Sequence, residues 1–296
     1  MKSGEDKSYQ EIDFQTANEF WEALSPTRDL VKPPHKLLYR GQANAKWGLV
    51  PTALRKDSGV LASAMRGKHF ADDQVFFEFR LLETFAAYCD QIGIKIPNDS
   101  IEFRERHLNI KGEEIHRYYR RPDLWPNNKL IEIMGLAQHH GVPTRLLDWT
   151  RHPYVAIYFA ASSALSNMNN WGEDDKLALW VLNKEEESLY PKVKIVTIPG
   201  STTPHLSAQS GLFTVHPHNG SRGKKFNIVG LEHEFSNVAN TPLMKLTVPV
   251  KESIRLRHLC AKIGLTGATI YPSADGAGKA VMESVLSWVA SNKYKM

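Results

Sequence analysis

The strongest constraint on the fold lies between residues 126 and 167, where two helical stretches bracket a short segment that is neither helical nor uniformly apolar. PNNKLIEIMGLAQHHG reads as a helix from about 126 to 140, closed by Gly141 and Pro143. Glycine accepts the left-handed conformation that ends a helix, and proline cannot continue one. HPYVAIYFAASSALSN (152–167) sets Val155, Ala156, Phe159, Ala160 and Ser163 on one face, with Pro153 suited to the first turn, where its missing N–H costs nothing. That face is built from small residues. Between the two helices, after the adjacent His139 and His140, GVPTRLLDWT places Thr144, Arg145, Asp148 and Trp149 in an otherwise apolar region. Polar groups in such a setting need partners, from the fold or from a ligand.

The rest of the chain punctuates readily. An opening helix is expected over 11–24, with Phe14, Phe20, Trp21 and Leu24 at near-helical spacing, Thr16 as its cap and Pro26 beyond its end. HKLLYRGQ (35–42) reads as a strand stopping at Arg40-Gly41, and 46–55 as a turn and a second short extended piece. Residues 70–93 return to helical periodicity, with Val75, Phe76, Phe79, Leu82, Phe85 and Ala86 on one stripe. Strand-like runs follow at 176–183, 193–199, 210–217 and 242–250, separated by Gly, Pro and Asn. A helix at 251–264, a strand GATIYPS and a closing helix over about 276–292 complete the pattern. Helices first and strands later predict an α+β fold.

Lys and Arg exceed acids by 37 to 32, for a formal charge of +5 and a pI near 9.0, which favours anionic partners. HRYYRRPDLW interleaves Arg117, Arg120 and Arg121 with aromatic rings, and SRGKKFN carries Lys224 and Lys225. Cations that meet phosphates beside rings that stack on bases suit single-stranded RNA or DNA; the alternative is a solvated surface. Cys89 and Cys260 sit in apolar helical settings and read as core thiols. No apolar run approaches the ~20 residues of a membrane span, and the polar N-terminus lacks a signal-peptide core. A cytoplasmic protein with no membrane partner is expected.

Standard motifs do not supply the chemistry. SADGAGKAV has Ser273 where a P-loop needs its first glycine and Ala280 where it needs a hydroxyl. His205, His216, His218 and His233 lack ligand spacing, so no metal is expected. What remains is the central segment and Arg40. A guanidinium at a strand end beside Gly41, where a ligand can approach the backbone, holds phosphate bidentately, or else forms a structural pair with Asp148. Arg145 and Asp148, three apart, form a local pair in a further alternative. Trp149 and Tyr158 offer flat faces, as core or as stacking platforms.

YRGQ (39–42), AQHHGVPTRLLDWTRHPYVAIYFAA (137–161), AQSGLFT (208–214) and IYPSADGAGK (270–279) resemble the successive signatures of the FRG domain family. Tyr39 stands where the family name has Phe. The resemblance spans about 35–285, with a helical insertion at about 70–135, an N-terminal helical segment at 1–34 and the end of the closing helix with a tail at 286–296. The order of these signatures also resembles the ADP-ribosyltransferase plan, which implies a split mixed β-sheet core and NAD as co-substrate. It implies that Tyr39, Arg40, Gly41, His140, Gly141, Thr144, Arg145, Trp149 and Tyr158 line the NAD site. Arg40, His139, Asp148 and Gln209 would be the catalytic set, with Gln209 in the place usually held by Glu and Glu232 or Glu234 as substitutes for its charge. The setting implied is a bacterial toxin or phage-defence effector, with a macromolecular acceptor and an antitoxin partner. A non-catalytic nucleotide- or nucleic-acid-binding module on the same fold is the alternative.

Overall fold

The computed structural model of the chain describes residues 8–28, 36–55, 70–185, 187–200, 204–236, 238 and 241–294. Its strands are β1 (Gln10–Asp13), β2 (Leu37–Gln42), β3 (Leu146–Thr150), β4 (Lys176–Asn183), β5 (Lys194–Val196), β6 (Gly211–Val215) and β7 (Leu243–Pro249). The helices are α1 (Ala17–Ala23), α2 (Ala71–Gln91), α3 (Ile101–His107), α4 (Glu113–Arg120), α5 (Ile131–His139), α6 (Pro153–Ser166), α7 (Pro204–Ala208), α8 (Ser253–Lys262), α9 (Gly267–Ile270) and α10 (Ala274–Tyr294). The strands form one mixed sheet in the order β1-β7-β4-β2-β3-β6-β5. Only the β1–β7 pair is parallel among them, so the fold is mixed α/β.

β4 shows why its sequence is nearly continuous in apolar residues. It is hydrogen-bonded on both sides, to β2 and β7, and Leu177 through Leu182 are all buried. A strand covered on both faces has no polar side to alternate with. One face meets α1, α6 and α8 through Leu177, Leu179, Val181, Leu246 and Val248. The other meets Leu49, Tyr190, Leu231 and Phe235 through Trp180 and Leu182.

The sheet is weakest at its middle. β2 is held to β4 from Leu37↔Asn183 to Gln42↔Ala178, and β3 to β6 from Leu146↔Val215 to Thr150↔Gly211, but β2 and β3 share the single pair Tyr39↔Thr150. Two half-sheets therefore meet at a seam. α6 lies against β2 so closely that a Cβ on Gly41 would stand 1.9 Å from the carbonyl oxygen of Ala156. Here the missing side chain makes room for a helix backbone. On the other half, α2 to α5 pack on Leu146, Phe213 and Val215. Arg145 ties that layer down: fully buried, it donates to Glu78 of α2 through Nη2 (2.5 Å) and Nε (2.6 Å).

Three expectations need correction. The opening helix begins later than 11, because residues 10–13 form β1 against β7; Thr16 does cap the helix that follows, with Glu19 completing the capping box. Within 46–55, the second extended piece is instead a 3₁₀ turn, Thr52–Leu54. GATIYPS opens as α9 rather than a strand. Thr269 Oγ1 accepts from the Thr266 amide at 3.0 Å, and Glu283 accepts from the Gly267 amide at 3.0 Å. These local and tertiary hydrogen bonds override the β-preference of Thr-Ile-Tyr. Cys89 and Cys260 are free and buried, and burial pushes the Cys260 thiol up to about 12.

Candidate functional site

A cleft of about 440 Å³ opens over the seam, with Arg40 and Gly41 of β2 and Asp148 and Thr150 of β3 in its floor. Gly135, Gln138 and His139 of α5 border one side, and Ala156, Phe159 and Ser163 of α6 the other. Arg40, His139, Asp148 and Gln209, far apart in sequence, all line it. Its size lies in the range of small-molecule sites.

Arg40 spans the parted strands. Its Nη1 donates to the Asp148 carbonyl oxygen at 2.7 Å and stands 3.5 Å from Asp148 Oδ2. Its Nε is buried without a partner. Burial lowers its pKa; Asp148 opposes that shift, and the charge of Arg55 adds to it.

Asp148 is held from behind. Gln138 Nε2 donates to Asp148 Oδ1 at 2.7 Å, Thr144 Oγ1 donates to Gln138 Oε1, and the Leu146 amide donates to Thr144 Oγ1 at 3.1 Å. Each group in this chain has its donor role fixed by the one before it, so the carboxylate is oriented while its side chain stays 63% exposed. Such support makes a group available without freedom to swing.

His139 stands at the rim, stacked on His205 with ring centroids 4.5 Å apart. Partial burial, then the nearby His205 and His140, pushes its pKa below the ordinary imidazole value. Gln209 lies in the turn before β6 rather than at the start of the strand. Its side chain donates to the Ile270 carbonyl at 3.3 Å, and its own carbonyl accepts from Thr150 Oγ1 at 2.7 Å.

Residues 35–169 match the family model of the FRG domain. The similarity to the FRG domain thus covers 135 of the 296 residues. Neither the curated proteins nor the solved structures gave a match. The FRG match supplies β2, β3 and the helices on both sides of the cleft, with Arg40, His139 and Asp148; Gln209 lies beyond it.

The other residues expected around the cleft divide between its wall and the surrounding core. Tyr39 and Trp149 reach its wall, but their rings are core: Tyr39 packs with Phe20 and Leu24, and Trp149 with Trp180, its Nε1 donating to Thr214 at 2.9 Å. Burial raises the Tyr39 hydroxyl to about 12. Thr144 acts through Gln138 instead of touching the cleft. Arg145 is spent on Glu78, not on Asp148 and not on a ligand. Tyr158 is buried and donates to Glu283, while its neighbour Phe159 lines the cleft. His140 lies against Phe85, and Gly141 closes α5 with φ +84°. Glu232 is turned to the Leu49 amide and Glu234 to Asn219, so neither brings a carboxylate to the cleft.

Arg117 and Arg120 are exposed on α4, and Arg121 pairs with Asp123 at 2.7 Å. Lys224 and Lys225 are exposed on a loop bound to the start of α2 through the Ala71 amide and the Lys224 carbonyl (3.0 Å). The two basic segments thus border one helix. Among the described residues, no group of three or more His, Cys, Asp or Glu is placed to hold a metal ion, and no helix is long and apolar enough to cross a membrane.

Trp47, Arg55, Gln138, Phe159 and Tyr271 also line the cleft and lie outside the expected set. Gln138 was within reach of sequence reasoning, since it stands beside the two histidines at the end of the same helix.

Proposed function

We propose that this protein is an ADP-ribosyltransferase-like enzyme that uses NAD to modify a macromolecular acceptor. The observation that carries the reading is the convergence of Arg40, His139, Asp148 and Gln209 on one cleft at the seam of the sheet. Arg40 suits the diphosphate, because a guanidinium binds phosphate oxygens bidentately, and Phe159 and Tyr271 offer rings to an aromatic ligand. In the reaction the C–N bond from ribose to nicotinamide breaks, its electron pair leaving with nicotinamide. Asp148, fixed by Gln138, stabilises the positive charge on the ribose carbon. The acceptor's lone pair forms the new bond there, and neutral His139 takes the proton the acceptor gives up.

The acceptor is nucleic acid in this reading, supported by the exposed Arg117, Arg120, Lys224 and Lys225. The setting is that of a cytoplasmic bacterial toxin or phage-defence effector restrained by a protein partner. A second reading, a non-catalytic nucleotide-binding module, is favoured by one feature. Asp148 is the only acid among the described residues lining the cleft, and Gln209 already donates to a backbone carbonyl. The two separate in one assay, in which NAD labelled in its adenylate half is incubated with RNA, DNA and protein pools. Transfer by wild type and its loss in Asp148→Asn, with unchanged melting, supports the enzyme. No transfer to any pool, with NAD still bound, replaces it with the binding module.

A further inference from the structure

The closing helix α10 carries more apolar surface than its own chain uses. Its inner side is accounted for. Gly276, Ser287 and Ala290 are buried, Leu286 and Val289 pack toward Leu165, Met168 and Ile254, and Glu283 accepts from Tyr158, from Arg257 Nη2 at 2.8 Å and from the Gly267 amide at 3.0 Å. The outer side is apolar as well. Val281, Met282, Val285 and Trp288 are between 47% and 68% exposed, and a soluble monomer seldom leaves such neighbours open together.

This outer stripe has a period. Ala274, Gly278, Val281, Val285, Trp288 and Asn292 are separated by four, three, four, three and four residues, the alternation that keeps one seam turned toward a second helix. No charged residue falls on it, since Asp275, Lys279, Glu283 and Lys293 all occupy other positions. Gly278 has no use within its own chain: a Cβ there would meet nothing within 4 Å among the described residues, and glycine weakens a helix interior. Two residues away, Gly276 is required by its own fold, because a Cβ there would stand 1.7 Å from the Tyr271 carbonyl oxygen.

Side-chain size points to the partner. Glu283, on the opposite face, lies level with the middle of the stripe: Val281 and Val285 are two residues from it, Gly278 and Trp288 five, Ala274 and Asn292 nine. A second α10 laid antiparallel, with a twofold axis at that level, sets Val281 against Val285, Ala274 against Asn292, and the bare Gly278 against the bulky Trp288. Every contact then occurs twice, as an isologous interface requires. The largest side chain of the stripe meets the position that has none, which suits close packing of the two backbones.

We propose that α10 is the interface of a homodimer, in which two copies of this chain pair their closing helices antiparallel and each Trp288 lies over Gly278 of its partner. The pairing needs none of the chemistry proposed for the cleft. Sedimentation velocity of the full chain over a range of concentrations tests it, and wild type should show a reversible monomer–dimer equilibrium. Gly278→Trp puts two rings in one space and Trp288→Gly leaves a gap, so each should weaken the dimer by about tenfold or more, as loss of a central Trp anchor does. Combining the two exchanges the partners, and dimerisation should return to within about threefold of wild type, the non-additivity expected of residues in contact. Melting curves on the monomer separate folding from association: Gly278→Trp should melt no earlier than wild type, because its side chain enters open space. Where Trp288→Gly melts early, Trp288→Ala takes its place in the exchange. A wild type that stays monomeric at every concentration overturns the proposal. So does a dimer that Gly278→Trp leaves intact, or an exchange variant that melts like wild type yet does not recover the dimer.

Discussion

Arg145→Met distinguishes a ligand-binding arginine from a structural one. Arg145 is fully buried and Glu78 nearly so, and the two are joined by two charge-assisted hydrogen bonds of 2.5 and 2.6 Å. Glu78 also accepts from Gln74 (2.5 Å) and from Trp125 Nε1 (2.9 Å). Methionine fills much of the volume but leaves a carboxylate with no countercharge in the core, which costs about 3–5 kcal/mol. With an unfolding entropy of ~2.1 cal/mol/K per residue, a chain of 296 residues should lose about 5–8 °C in Tm. The paired change Glu78→Met with Arg145→Met removes both charges and should recover most of the loss.

The same pair gives a pH signature. Burial alone would raise the Glu78 pKa, but the charge and hydrogen bonds of Arg145, with Gln74 and Trp125, outweigh it and hold the carboxyl below its ordinary value. Its contribution is therefore complete above the unfolded carboxyl pKa and fades as pH falls through the lower folded one. The Tm difference between wild type and Arg145→Met should shrink on acidification. Differential scanning calorimetry from pH 7 to pH 3 reads all of this. A variant that melts within 1 °C of wild type yet no longer binds nucleotide would refute the assignment and return Arg145 to the cleft.

Gly41→Ala should be among the most disruptive single-methyl changes, because the Cβ meets the Ala156 carbonyl oxygen at 1.9 Å and backbone must move; a loss of about 1–3 kcal/mol or more is expected in denaturant melts, and a neutral result would mean α6 is not seated on β2. If His139 is the proton acceptor, its pKa lies below the ordinary imidazole value of 6.5, so the acid limb of kcat/KM should have its midpoint below pH 6.5. A midpoint above 6.5 would exclude this role. Arg117→Glu with Arg120→Glu should weaken single-stranded RNA binding and reduce the slope of log K against log salt by about 1.4, ~0.7 per lost phosphate contact. Identical slopes would leave both arginines as solvated surface.

The parts of the fold legible in the sequence are those where one residue type has one physical use. Pro153 at the first turn of α6, Gly141 in the left-handed region after α5, and Thr16 at the cap of α1 all stand where they were expected. β1 escaped notice because QEID has no apolar alternation; it lies at the edge of the sheet with its side chains largely exposed. In the site, Arg40 and Asp148 were legible as charges at the ends of apolar runs. Trp149, open in the sequence between core and stacking platform, touches the cleft wall with its ring seated in the core, as the alternation of strand side chains beside Asp148 requires. Phe159 shares with Ala156 and Ser163 the face of α6 legible in the sequence, and that face borders the cleft, whereas Tyr158, one position earlier, turns to Glu283. Arg55 and Trp47 carry no local signal, because long-range backbone hydrogen bonds place them, from the Ala45 amide to the Lys176 carbonyl and from the Ala53 amide to the Thr144 carbonyl.

The lone Tyr39↔Thr150 pair also bears on how much of the chain the family match can support by itself. The matched stretch, 35–169, holds the two strands that flank the seam, while β4 and β6, which complete their hydrogen bonding, come later in the chain. A fragment ending at 169 would carry two ribbons with nearly all their edge groups unsatisfied, an invitation to intermolecular pairing. The recognisable portion is thus the mouth of the site, and the remaining portion is the scaffold that holds its lips apart.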